Sequence, residues 1–155
     1  MVEITWQAIY ILLQIVFAWD QSFPASTFYI DDHRNIYCLS VNAYHEARGE
    51  SLQEQMAVSQ VVLNRVADPR WPSDTCEVIT QANQFSWYDD ALSNSVYDMQ
   101  AWKDNVHSVL LVYSGMSDDI VDGATHYYAH NKIDKPTWAE DMSVTVKLRG
   151  HTYLK

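Results

Sequence analysis

The sequence predicts an α+β domain, mostly helical, with a small antiparallel sheet at its C-terminal end. Three observations carry this reading. Apolar residues recur three and four positions apart in the long periodic stretches before Tyr113. The period changes to two at Val144, Val146 and Leu148, which alternate with Thr145, Lys147 and Arg149. Helices therefore precede strands in one block, without the alternation that βαβ units require.

The elements follow in order. Residues 4–19 form an uncharged apolar stretch, short for a membrane span, which wants about 18 or more apolar residues. Glu3 is the only charge before it and the first basic residue is Arg34, so a secretory signal lacks its positive start. The stretch reads as a helix packed on the domain or a partner, as a weak signal or anchor, or as an amphipathic membrane or virion contact. Asp20 to His33 reads as a linker, dividing residues 1–33 from a domain at 34–155. Asn35 to Arg48 reads as a helix with Ile36, Leu39, Ala43 and Ala47 on one face, stopped by Gly49. Ser51 and Glu54 form a capping-box pattern that starts a second helix. Leu52, Met56, Val62, Leu63 and Val66 are its expected core stripe, and Pro69 lies beyond its end. Ser73 or Asp74 caps a short helix through Cys76 to Gln81, and Asn83 to Asp90 is an aromatic loop. A long helix runs from about Ser95 to Tyr113, with Met99, Trp102, Val106, Val109, Leu110 and Tyr113 on its apolar face. Asp122-Gly123 is a turn, Thr125 to Ala129 is extended, and Gly150 turns the chain into His151–Leu154.

A chain of 155 residues is one domain by length and can bury a real core. With 48% hydrophobic residues, four glycines and four prolines, disordered and collagen-like classes fail. The net charge of −10 excludes a broad electrostatic grip on nucleic acid. It also counts mildly against anionic polymers, and suggests high salt or a cleft field unlike the average. Six tryptophans and ten tyrosines are enough to fill a core and line a cleft that stacks on sugars. Cys38 and Cys76 form no metal-binding or redox motif; they are either one bridge or two buried thiols.

The densest chemistry lies in Tyr44-His-Glu-Ala-Arg-Gly-Glu50. Glu46 falls in the last turn of its helix, where the dipole gives a carboxylate nothing. Such a residue is either a solvated charge or part of a site. Burial beside aromatics raises a carboxyl pKa and keeps the proton that glycosidic cleavage needs. Arg48 and Glu50 read as holding the corner between the two helices, as a pair or as exposed charges. Asn64 and Arg65 read as hydrogen-bonding within the fold.

Several segments together resemble the catalytic domain of the SleB-type cell wall hydrolases, the spore cortex-lytic enzyme family. They are Cys38–Glu50, Ala57–Val66, Trp71–Ile79 and Gln84-Phe-Ser-Trp87, followed by Thr125–Tyr128, Trp138 and Gly150-His151. The resemblance covers about residues 36 to 153. It implies a lysozyme-like fold, bacterial peptidoglycan as partner, no cofactor and no metal, and mainly lytic transglycosylation. The family's catalytic glutamate falls on Glu46. The carried-over cleft wall is Gln84, Phe85, Ser86 and Trp87, with Tyr127, Trp138 and His151 as further sugar contacts. Either Tyr127 or Tyr128 should face the cleft and the other the core. A plain hydrolase would need a second carboxylate, for which Glu50, Asp89 and Asp90 are candidates. His45, His130-Asn131 and the acidic run Asp118 to Asp122 depart from the family pattern.

Two other readings use the same residues. A metal-dependent amidase would draw ligands from His126, His130, His45, Glu46 and His151. However, on an extended strand His126 and His130 stand roughly 13 Å apart at about 3.3 Å per residue, too far for one zinc. A non-catalytic wall-binding or structural module would keep the fold and dock through residues 4–19. Small size and the unusual N-terminal segment fit a phage-borne enzyme, virion-associated or released at lysis; secretion is the alternative.

Overall fold

A computed structural model describes residues 28–81, 84, 85, 87 and 96–155. The apolar stretch 4–19 and most of the proposed linker lie outside the described residues, as do Ser86, Asp89 and Asp90. The described elements are α1 (Ile30–Ala47), α2 (Leu52–Ala67), α3 (Thr75–Thr80), α4 (Met99–Tyr113), β1 (His126–Tyr128), a 3-10 turn (Thr137–Ala139), β2 (Val144–Lys147) and β3 (Thr152–Leu154). The mostly helical α+β class with a C-terminal antiparallel sheet is what the residue patterns predict. Among the described residues, no helix is long and apolar enough to cross a membrane.

Helix α1 begins at Ile30, earlier than the apolar spacing predicts, so Ile30 to His33 are helix and not linker. Asp31 and Asp32 lie in its first turn, where carboxylates favour a helix start, and Asp32 Oδ2 accepts the Tyr29 N–H at 2.9 Å. Asp74 caps α3 by accepting from the Glu77 N–H, and Asp98 caps α4 by accepting from the Ala101 N–H. Helix α4 therefore starts at Met99, and Met99 is 45% exposed instead of lying on the apolar face.

The expected stripe on α2 holds at Val62 and is corrected elsewhere. Leu52 is exposed, and Met56, Leu63 and Val66 are only partly buried. The buried set is Glu54, Gln55, Ala57, Val58, Ser59, Val61, Val62 and Arg65. The cause is position: α2 faces two cores. Val58 and Val62 join Ile36, Leu39, Tyr44, Trp102 and Leu110 between the helices. Ala57 and Val61 join Val121, Ala124 and Tyr153 beneath the sheet. A helix covered on two sides buries more than one amphipathic stripe.

The sheet has order β1-β3-β2, with both pairings antiparallel. Tyr127 pairs with Tyr153, and Lys147 with Thr152. Asp122 and Gly123 both take positive φ, 49° and 74°, in the turn that leads into β1. Strand β2 is an edge strand with a bulge between Val144 and Val146, which leaves Val144 57% exposed instead of half-buried. Cys38 on α1 and Cys76 on α3 form a disulfide with Cα atoms 5.5 Å apart, which decides the question the composition leaves open. Arg34 pairs with Asp74 nearby, so α1 and α3 are also held by charge.

Candidate active site

Glu46 stands in the last turn of α1, at the junction of the helical core and β1. It is partly buried. Tyr127 Oη donates to Glu46 Oε2 at 2.9 Å. Burial raises the Glu46 pKa above the ordinary carboxylate value; the Tyr127 hydrogen bond and the charges of His151, Lys132 and Arg65 oppose this without cancelling it. Tyr127 itself is pushed well up by burial and by the Glu46 carboxylate, so its hydroxyl stays a donor.

β1 presents Tyr127 because side chains alternate along a strand. The Tyr127 ring packs against both cores, and its hydroxyl reaches Glu46. His126 and Tyr128 take the other face. His126 lies between Trp71 at 5.7 Å and Trp138 at 5.6 Å, and Tyr128 stands 6.3 Å edge-on to Trp138. Trp138 is 48% exposed, the most open of these rings. Burial and the charges of Arg65 and Arg70 hold the His126 pKa below the ordinary imidazole value. The tyrosine that touches Glu46 is thus the one that also packs on the core, a combination the two-faced alternation did not anticipate.

The segment after α3 is anchored from beneath. Trp87 Nε1 donates to Asn42 Oδ1 at 2.9 Å, and the Trp87 ring stacks on His45 at 4.7 Å and 15°. Asn42 and His45 precede Glu46 by four and one positions on α1, so Trp87 is anchored to the helix that carries Glu46. Gln84 Oε1 accepts from Arg65 Nη1 at 3.0 Å. Phe85, expected on the cleft wall, is instead 3% exposed in the helical core, with the Arg65 guanidinium 5.5 Å from its ring centroid.

Arg48 does not pair with Glu50 among the described residues. Its guanidinium lies over Tyr44 at 4.5 Å and Tyr97 at 4.7 Å, while the Tyr44 hydroxyl accepts from the Tyr97 and Asp98 N–H groups. Arg48 therefore ties the end of α1 to the start of α4. Glu50 lies toward the turn at Gly150, with Oε2 3.7 Å from where a Cβ on Gly150 would stand. Asn64 Nδ2 donates to the Ala124 carbonyl at 2.9 Å and to Asp119 Oδ2 at 3.2 Å, and Arg65 Nε donates to the Thr125 carbonyl at 2.7 Å. These two side chains clamp the entry to β1, as hydrogen-bonding within the fold requires.

His151, expected as a sugar contact, is 5% exposed, and its Nδ1 lies 2.9 Å from Glu54 Oε2. Glu54 is the residue the sequence patterns missed. Ser51 Oγ accepts from the Glu54 N–H at 3.3 Å, which is half of the capping box. The Glu54 side chain does not return to Ser51. It accepts from Gly150 N–H, His151 Nδ1 and Tyr153 Oη instead. A capping position gave its carboxylate a local role, and nothing nearby in sequence signals partners so far downstream. The amidase ligands do not converge: His126 Nδ1 meets Thr125 Oγ1, whereas His130 Nδ1 meets Thr152 Oγ1. Among the described residues, no three His, Cys, Asp or Glu side chains group as a metal site.

A sequence model of the family described as Cell Wall Hydrolase matches residues 49–154, more than half of the chain. Glu46 lies just ahead of that span. Two solved structures share the fold. One is the catalytic domain of the Bacillus cereus SleB protein, with TM-score 0.60 and 24% identity over 79% of this chain and 91% of that one. The other is the catalytic domain of the germination-specific lytic transglycosylase SleB from Bacillus anthracis, with TM-score 0.63 and 22% identity over 86% of this chain and 100% of that one. No curated protein sequence matches the chain.

Proposed function

The chain belongs to the Cell Wall Hydrolase family, and on that premise we propose that this enzyme cuts peptidoglycan glycan strands as a lytic transglycosylase with Glu46 as general acid. The observation that carries the reading is the Glu46 carboxyl, its pKa raised by burial and its Oε2 held by Tyr127 at 2.9 Å. Burial favours the protonated form that a general acid needs, and the Tyr127 hydrogen bond fixes the direction of the carboxyl.

In this reading Glu46 donates its proton to the oxygen linking N-acetylmuramic acid to N-acetylglucosamine. The C1–O bond breaks and an oxocarbenium-like centre develops at the muramyl C1. The muramyl C6 hydroxyl closes on C1, and its proton returns to Glu46. The product is a 1,6-anhydro sugar, no water is consumed, and Glu46 ends as it began. The Tyr127 hydroxyl supports the carboxylate while it is ionised. One enzymatic carboxyl suffices because the substrate supplies the nucleophile. Trp138, Trp87 and Gln84 are the proposed sugar contacts, whereas buried Phe85 and His151 act from behind the surface. The catalytic unit is assigned to residues 34–155 with the first turn of α1 added. The Cys38–Cys76 cross-link supports work in an oxidising compartment, consistent with the wall, whether delivery is by phage or by secretion.

The test is product analysis by mass spectrometry of peptidoglycan digested with wild type and with Glu46→Gln. Anhydro-muropeptides from wild type alone are expected. Reducing-end sugars would replace transglycosylation with hydrolysis. Equal activity of Glu46→Gln would remove Glu46 as the acid.

A further inference from the structure

Glu54 is 1% exposed, and its carboxylate accepts three hydrogen bonds from groups 96 to 99 residues downstream. Gly150 N–H donates to Oε1 at 2.6 Å, while His151 Nδ1 and Tyr153 Oη lie 2.9 Å from Oε2. Burial alone would raise the Glu54 pKa, yet the Gly150 amide, the Tyr153 hydroxyl and His151 together bring it below the ordinary value. Glu54 is therefore an ionised carboxylate inside the protein. Buried charges contribute little net stability compared with apolar packing, so what they hold in place is the informative question.

What Glu54 holds is the setting of Tyr127. The His151 ring stands edge-on to Tyr127 at 5.4 Å, and the Tyr153 ring lies 5.7 Å from it. Tyr153 is also the register partner of Tyr127 across the sheet. Tyr127 in turn donates to Glu46. Helix α2 is thus connected to the acid on α1 through two strands of the sheet.

We propose that Glu54 is a positioning residue for the reaction: by gripping Gly150, His151 and Tyr153 it fixes the two rings against which Tyr127 packs, and so the direction of the hydroxyl that holds Glu46. The proposal rests on Glu46 being the acid and deepens that reading. Other groups bear on the same carboxyls. Glu46 also faces Lys132 from the loop after β1, Arg65 from α2, and His151 from the turn before β3. The Glu54 cluster has Glu50 and Asn131 at its edge, beside Gly150.

Because Glu54 acts through Tyr127, most of its effect on Glu46 must be lost when the Tyr127 hydroxyl is absent, leaving only what the His151 charge exerts directly. The experiment follows the Glu46 carboxyl by carbon-13 NMR titration in wild type, Tyr127→Phe, Glu54→Gln and the double variant. Steady-state kcat and KM on purified peptidoglycan are measured alongside. Glu54→Gln is expected to move the Glu46 pKa up by about half a unit or more, the worth of a weakened hydrogen bond. It is expected to lower kcat about tenfold or more, as misplacement of a reacting group does, with KM unchanged. In the Tyr127→Phe background the further shift should be less than half as large. Additive shifts, or an unmoved Glu46 titration with unmoved kcat per folded molecule, would overturn the proposal. Should Glu54→Gln fail to fold, Glu54→Asp keeps the charge with a shorter reach and is read the same way. A shifted titration in an enzyme whose Glu46→Gln variant stays active would refute the acid and spare the network. An unmoved titration with inactive Glu46→Gln would do the reverse.

Discussion

Glu46 and Tyr127 are 81 residues apart in the chain and joined by a 2.9 Å hydrogen bond from the phenol to the carboxylate. The bond stabilises the ionised acid, while burial favours the protonated one, and burial prevails. Removing the phenol therefore moves the Glu46 pKa further up. Under the proposed mechanism Glu46 works when protonated, so activity falls as pH rises through that pKa. The alkaline limb of the pH–activity profile of Tyr127→Phe is expected at higher pH than in wild type, with a lower maximum. An unmoved limb would detach Tyr127 from the acid.

Glu46→Gln is nearly isosteric and keeps an acceptor for Tyr127. The folded-state pKa of Glu46 lies above its unfolded value near 4.5, so the group costs stability once pH has risen through the folded value. The variant is expected to melt within a few degrees of wild type at neutral pH, and not below it, while losing activity. A large fall in melting temperature would make Glu46 structural.

Glu54 has the opposite sign. Its folded-state pKa lies below the unfolded value near 4.5, so its contribution is present above that value and is lost as pH falls through the folded one. At neutral pH, Glu54→Gln should cost about 2 kcal/mol, in the range for hydrogen bonds to a charged group. The deficit should narrow as pH falls below the unfolded value. Thermal melts of both proteins at neutral and acid pH check this, and a constant gap would contradict it.

Trp138 is half exposed, so truncating it leaves the cores intact. Trp138→Ala in a Glu46→Gln background should bind peptidoglycan about fivefold more weakly, the loss of one stacking contact, with an unchanged melting temperature. Undiminished binding in a sedimentation assay would remove Trp138 from the sugar path.

Much of this was legible in the residue order. Periodicity located the helices and the C-terminal sheet because each buries a face that repeats locally. Glu46 was legible as a candidate because Tyr44 to Glu50 packs titratable groups onto a helix end, and the resemblance singled it out. Less was legible where one residue serves two masters. Glu54 looked like a cap because its backbone is one, and its side chain answers to β3. The resemblance assigns Phe85 to the cleft wall, whereas its ring lies in the helical core beside the Arg65 guanidinium. The α2 stripe holds at Val62 and in part at Leu63 and Val66, but a helix between two cores buries more faces than one stripe can show.

The disulfide closes a loop with a sequence separation of 38, worth about 4 kcal/mol in the chain-entropy model. Reduction should lower the melting temperature by several degrees, and Cys38→Ser should match reduced wild type. An unchanged melt under reductant would show that the cross-link contributes nothing to the fold.

The strand order has a consequence for timing. β3, the last described element, is the middle strand, and β1 pairs with it alone within this sheet. A nascent chain emerging from the ribosome can form α1, α2 and α4 with Glu46 already on its helix. It cannot seat Tyr127 until Thr152 to Leu154 arrive, because Tyr153 is the strand partner that Tyr127 lacks until then. Glu46 is in place on its helix before its hydrogen-bond partner is, so an interrupted translation product carries the glutamate without the Tyr127 hydroxyl bonded to it.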